Sequence, residues 1–230
     1  YPRESWILAS KYPGHQLFSD GHKPAAIFEE QLEKCGVDYF DFYLCHNVTE
    51  SNIDDYLDDD RFGTVSYLLE QKKAGRIRHL GFSTHGSLET MKRFLDAWGK
   101  YMEFGQIQLN WMDWDLENAR EKVKLLSSYG LPVWVMEPVR GGRLANLPEV
   151  YGDRLKAVHP DWTDPQWAFR FLQGIEGVTM VLSGMSNMEQ LQDNIATFAE
   201  RKPLDQKETD VVMDIAERLK SAIPCTACRY

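Results

Sequence analysis

Long apolar runs are missing from this 230-residue chain: no stretch approaches the ~20 consecutive apolar residues that cross a bilayer. The N-terminus lacks the basic-then-apolar pattern of a secretory signal. Cysteine is scarce, with residues at positions 35, 45, 225 and 228. That is too few for a disulfide scaffold in a chain of this length, and a reducing, cytoplasmic setting is the expectation. Positive charge is also short. The net charge is −9, whereas nucleic acids and anionic membranes are held by a basic footprint, so neither is expected as a partner. The G-x-G-x-x-G dinucleotide fingerprint does not occur, and no linker-like, low-complexity or repeated segment divides the chain. What remains is ordinary globular composition, 43% hydrophobic and 27% charged, in a chain long enough for one substantial core. The one acidic cluster, Asp54 to Asp60, reads as a solvated loop or helix start in preference to a metal site.

Short apolar runs recur at Trp6–Ser10, Phe40–Cys45, Ile77–Phe82, Phe104–Leu109, Val133–Met136 and Val178–Leu182. They are rich in β-branched and aromatic residues and do not alternate with polar ones, as suits strands buried on both faces. Between them lie stretches of helical period. Pro24–Cys35 places Ile27, Phe28, Leu32 and Cys35 on one face. Val65–Ala74, Leu88–Trp98, Leu116–Ser128, Pro165–Leu172 and Met188–Ala199 follow, the last with Ser186 as its N-cap. Gly75, Gly130 and Pro132 punctuate the turns. Alternating strand and helix implies a parallel sheet flanked by helices, in six units with a last amphipathic helix at Gln206–Ser221.

Two strand ends carry chemistry. Lys11 stands at the end of the first and His46 at the end of the second. In a parallel α/β barrel such ends converge on one mouth, where active sites are built. Taken singly, a lysine there is most often a solvated cap and a histidine most often a satisfied core residue. His79 lies within a strand and reads as packed or hydrogen-bonded core. His85 follows a strand end and lines the mouth without a catalytic role. His15, His22 and His159 fall in loop-like sequence and support no argument.

Taken together, the motifs resemble the aldo-keto reductase superfamily along essentially the whole chain. They are Ser10-Lys11, Leu44-Cys45-His46-Asn47, Lys73 through His85, Gln106 through Trp111, Glu137 through Leu144, and Leu182 through Ser186, in family order. The resemblance implies an α/β fold, a (β/α)8 TIM barrel, here with about six β/α units in residues 1–204. Residues 205–222 would form a helix packed on it. It further implies NAD(P)-dependent hydride transfer with an aldehyde, ketone or alcohol as the small substrate. Lys11 would lower the pKa of an acid and His46 would orient the carbonyl.

For the cofactor, NADP or NAD, the resemblance places the carboxamide at Ser83, Thr84 and Gln106, with Thr84 where many members have asparagine. Met136 stands where an aromatic side chain commonly stacks on the ring, and keeps a polarizable floor. Pro138, Arg140, Gly141 and Gly142 would approach the pyrophosphate. Ser186, Gln190 and Asn194 occupy the adenosine end. Gly184 and Gln190 take the places where NADP-preferring members often have lysine and arginine, which leaves the cofactor preference open.

Both ends carry expectations. The family's catalytic tyrosine and its aspartate belong well upstream of the lysine, and only ten residues precede Lys11; neither Tyr1 nor Tyr12 matches. The chain is therefore expected to be a fragment with little or no reductase activity of its own. Cys225-x-x-Cys228, in residues 223–230, resembles the start of a ferredoxin-like run that would hold a 4Fe-4S cluster in the intact protein, with an electron-transfer partner. Half a zinc site is the competing reading, and a nicotinamide-binding regulatory or electron-transfer module without aldehyde turnover is the alternative function.

Overall fold

The computed structural model describes residues 1–17 and 23–222. Six strands follow one another in one sheet in chain order: β1 (Ala9–Tyr12), β2 (Phe40–Val48), β3 (Ile77–Thr84), β4 (Gly105–Gln108), β5 (Val133–Met136) and β6 (Val178–Val181). The registered pairs β1–β2, β2–β3 and β3–β4 are parallel. The helices are α1 (Gly14–Leu17), α2 (Pro24–Cys35), α3 (Ile53–Leu57), α4 (Asp59–Phe62), α5 (Thr64–Lys73), α6 (Leu88–Trp98), α7 (Asp113–Leu116), α8 (Ala119–Ser128), α9 (Glu149–Lys156), α10 (Asp164–Gln173), α11 (Met188–Ala199) and α12 (Gln206–Ala222). This is the parallel sheet with helices expected from the alternation, and the partial (β/α) barrel implied by the resemblance. None of the described helices is long and apolar enough to cross a membrane.

Two compact units emerge, Tyr1–Ile107 with Glu121–Trp134, and Gln108–Arg120 with Val135–Tyr230. In the first, Phe42, Leu44, Phe104 and Trp134 pack together, with the Phe104 and Trp134 rings stacked at 4.1 Å. Burying such a side chain is worth roughly 1.5–3 kcal/mol. Gly81 on β3 makes the packing possible, because a Cβ there would meet the Phe104 ring at 2.5 Å. In the second unit, α10 buries Trp167, Ala168 and Leu172. Helix α12 buries Val212, Ile215 and Ala216, and is tied to α9 by an Arg154–Asp214 ion pair at 2.6 Å.

Several expectations are corrected. Trp6 to Leu8 lie outside β1, which starts at Ala9 and runs through Lys11. Arg3 bonds Asp41 at 2.6 Å and lies over the Trp6 ring, while the same Asp41 accepts from the Leu8 amide, so this segment is held as a wrapped turn. Cys35 is exposed, at the last turn of α2 beyond its packed stripe. The stretch 116–128 is broken at Asn118, whose φ is 52°, a conformation that asparagine tolerates better than most residues. Asn187, not Ser186, caps α11, accepting from the Gln190 amide at 2.9 Å. His79 is half-exposed rather than core, stacked on Phe42 and bonded to Glu103. The acidic cluster, by contrast, falls at helix starts as expected: Asp54 and Asp55 open α3, Asp59 and Asp60 open α4, and Asp59 accepts from the Val65 and Ser66 amides at the start of α5.

Candidate active site

In the first unit the end of β2 carries one extra residue. Cys45 pairs with Phe82 and Val48 with Thr84, so three steps on β2 match two on β3, and Asn47 enters the left-handed region at φ 54°. Such a bulge re-aims the side chains beside it. It is held by named bonds. Ser83 Oγ accepts from the Asn47 amide at 2.9 Å, and Thr84 Oγ1 donates to the Val48 carbonyl at 2.6 Å while accepting from the Gly86 amide. The Tyr56 hydroxyl donates to the His46 carbonyl at 2.9 Å. Ser83, Thr84 and Gln106 are all buried. Thr84 thus has donor and acceptor engaged within the fold.

The His46 ring meets the His15 ring edge-on at 4.7 Å. Burial pushes the His46 pKa down to about 4, and the positive potentials of Lys11, His15 and His85 add to the effect. His46 is therefore a neutral imidazole at pH 7. His15 is shifted down as well, by burial and then by Lys11. Among the described residues, its Nδ1 and the Asn47 Oδ1 are buried without hydrogen-bond partners, capacity that a bound molecule would meet. His15 was passed over in the sequence because it follows Pro13-Gly14 and has no periodic neighbours. The four-residue α1 is what turns it back toward β2. Tyr12 and Tyr56, the tyrosines packed at this end, are buried with raised pKa values, burial being the main cause.

The second unit holds a cleft of about 560 Å³, within the ~300–1,000 Å³ range of cofactor sites. Met136, Pro138, Gly141, Gly142, Gln190 and Asn194 all line it, as do Glu137, Leu182, Ser183 and Asp193. Its loop wall is unusual in backbone. Glu137, Arg140, Gly141 and Gly142 all have positive φ, at 57°, 50°, 61° and 89°. Two of these are not glycine, strain of about 1 kcal/mol or more each that clusters at functional sites.

Beneath the loop, Asp113 is fully buried and accepts from Asn110 Nδ2 at 2.6 Å, Gln108 Nε2 at 2.8 Å and Arg140 Nε at 3.0 Å. Asn110 also donates to the Glu137 carbonyl at 2.9 Å. Arg140 therefore stands under the wall and does not line the cleft. Ser186 does not line it either; its amide and hydroxyl donate to Gln190 Oε1. Asn194 donates to Ser183 Oγ at 3.0 Å. Apolar Met136, Pro138 and Leu182 with polar Ser183, Gln190 and Asn194 suit the flat rings and hydroxyls of a nicotinamide nucleotide.

A profile of the aldo/keto reductase family matches residues 1–217. The chain belongs to this family. Two curated aldo-keto reductases, from Mycobacterium sp. strains KMS and JLS, are 33% identical over 128 residues, 55% of this chain. That match spans 42% of the length of each relative. Among solved structures, the holo form of an aldo-keto reductase from Bacillus halodurans superposes with a TM-score of 0.72 at 25% identity, over 93% of this chain and 74% of that one. A thermostable aldo-keto reductase bound to the inhibitor epalrestat gives 0.71 at 18% identity, over 94% and 73% of the respective chains, a likeness of fold.

For this aldo/keto reductase chain, Lys11, His46, Ser83, Thr84 and Gln106 fall in the first unit, and Met136 through Asn194 in the second. Cys225 and Cys228 lie outside the described residues. Among the described residues, no group of His, Cys, Asp and Glu is arranged to hold a metal ion.

Proposed function

We propose that this aldo/keto reductase chain serves NAD(P)-dependent oxidoreduction, with hydride transfer between a nicotinamide and a small aldehyde or ketone, or the reverse oxidation of an alcohol. The observation that carries the reading is His46, a neutral imidazole held among Lys11, His15 and His85. A neutral ring can donate one N–H to a carbonyl oxygen without itself taking up the proton that the reduction needs. Nearby positive charge stabilises the negative charge that grows on that oxygen. Lys11 would act on the pKa of the proton donor, since an ammonium favours a phenolate. Met136, Pro138, Gly141, Gly142, Gln190 and Asn194 would hold the nucleotide, which supplies or accepts the hydride when bound.

Titration of the 230-residue chain with NADH and NADPH, followed by nicotinamide fluorescence, is expected to show saturable binding; no response to either overturns the proposal. The orienting role of His46 is read from aldehyde turnover with the expected upstream tyrosine-bearing segment restored. His46→Ala should lower kcat by about 10²-fold or more while leaving nucleotide affinity in place. Cys225 and Cys228 belong to this reading as two ligands of a 4Fe-4S cluster that exchanges electrons with a partner, in a reducing cytoplasmic setting. Iron and sulfide analysis of a C-terminally extended, anaerobically purified protein tests that part separately.

A further inference from the structure

Resting on the nucleotide reading above, we infer that the cleft of the second unit discriminates against a 2′-phosphate, so that the chain takes NAD(H) in preference to NADP(H). The two cofactors differ by one phosphate on the adenosine ribose, a group carrying about −1.5 to −2 charge near neutral pH. Such a group is normally met by arginine or lysine. Among the described residues lining the cleft, the ionisable ones are Glu137 and Asp193, both acidic, and none is a lysine or arginine.

The charge is also fixed in place. Asp193 Oδ1 accepts from Gln166 Nε2 at 2.6 Å and Oδ2 from Thr163 Oγ1 at 2.9 Å, which holds the carboxylate at the wall. Arg140 is committed to Asp113 beneath the loop. Arg143, on the same loop, is exposed and does not line the cleft.

A helix N-terminus could stand in for the missing cations, because its free amides bind anions. Helix α11 begins here, and two of the amides at this end, those of Gln190 in its first turn and of Ser186 before its cap, are already taken. Asn187 Oδ1 takes the Gln190 amide at 2.9 Å, and Gln190 Oε1 takes the Ser186 amide at 2.8 Å. A phosphate using those donors would have to break the cap. Gly184 lines the same cleft, and a Cβ added there meets no heavy atom within 4 Å. A side chain at position 184 would therefore start into open space, and glycine supplies none.

The test is a paired fluorescence titration of the 230-residue chain with NADH and NADPH at low ionic strength. NADH is expected to bind at least tenfold more tightly. NADPH binding equal to or tighter than NADH overturns the inference and leaves the proposed function standing, whereas binding of neither removes both. Gly184→Lys, with its fold verified by circular dichroism, is expected to raise NADPH affinity relative to NADH at least fivefold; an unchanged ratio contradicts the charge argument. In the unmodified chain the gap should narrow between about 50 and 500 mM salt, since repulsion is screened. A gap that widens counts against it.

Discussion

The strand-end site of the first unit and the cleft of the second are built on opposite principles. At the end of β2 the groups around His46 are basic, and Lys11, His15 and His85 act on it through their fields. In the cleft the ionisable lining is acidic, and the loop's arginine is withdrawn into a bond with buried Asp113. The first site sets the protonation state of one ring by burying it, with the basic groups around it adding to the effect. The second is shaped by backbone, through four positive φ angles in a six-residue loop supported by Asn110 and Asp113. Chemistry that depends on a pKa draws on burial and neighbouring fields, whereas a wall that receives a ligand needs fixed geometry. One chain supplies each by a different device.

That contrast can be broken at its strongest point. Asp113→Ala leaves Arg140 without its carboxylate partner and takes one of the two acceptors of Asn110, and removal of one partner of a buried pair typically destabilises by about 3–5 kcal/mol. Urea unfolding measures it; a loss below about 1 kcal/mol would show that the loop stands without its buried support.

The next effect is the pH dependence of the basic site. The His46 pKa falls from 6.5 to about 4 on folding. Above about pH 6.5 the ring is neutral in both states and stability is complete. As pH falls toward 4 the unfolded chain takes up a proton first, so stability is lost through that window. For a partly exposed ring this amounts to about 1–2 kcal/mol after screening. His46→Gln should flatten the curve between pH 6.5 and 4, and parallel curves for the two proteins would refute the depressed value.

Smaller again is the strain in the cleft wall. Glu137→Gly should stabilise by about 1 kcal/mol or less, because glycine adopts the left-handed conformation without penalty. Thermal denaturation reads this, and a lowered Tm would mean that the Glu137 side chain does more for the fold than its backbone takes away. Smallest is Lys11→Met, which removes one of the positive groups facing His46. The His46 titration, followed by NMR of the ring protons, should move upward; no movement would place the lysine's charge elsewhere.

The elements that the sequence displayed clearly were those with uniform packing demands. Pro24–Cys35, Leu88–Trp98, Val133–Met136 and Met188–Ala199 have the bounds expected from periodicity. The misjudged stretches are those where a side chain overrules the local pattern. Arg3 and Asp41 turn the apolar Trp6-Ile7-Leu8 out of the strand, and Asn118 ends a helical period early. Helix α9 was missed altogether; its eight residues bury Gly152 and Leu155, too few to mark a stripe. In the site, Lys11 and His46 were legible because each closes an apolar run. The edge-on approach of His15, the dual bonding of Thr84 and the withdrawal of Arg140 depend on contacts from 27 to 36 residues away in sequence, which no local window contains.

The extra residue at the end of β2 has one more consequence. Because three steps there are matched against two on β3, the place of His46 is set by a count of residues as well as by their identity. Side chains along a strand alternate in parity, so removing any one residue between Cys45 and Val48 would exchange inward for outward along the strand end. Val48, now fully buried, would be carried out of its place, and the imidazole would turn with it. A library of substitutions across 45–48 should therefore retain more folded members than a library of single deletions and insertions over the same positions. At this strand end, length is conserved information in the engineering sense: the composition can drift while the tally cannot.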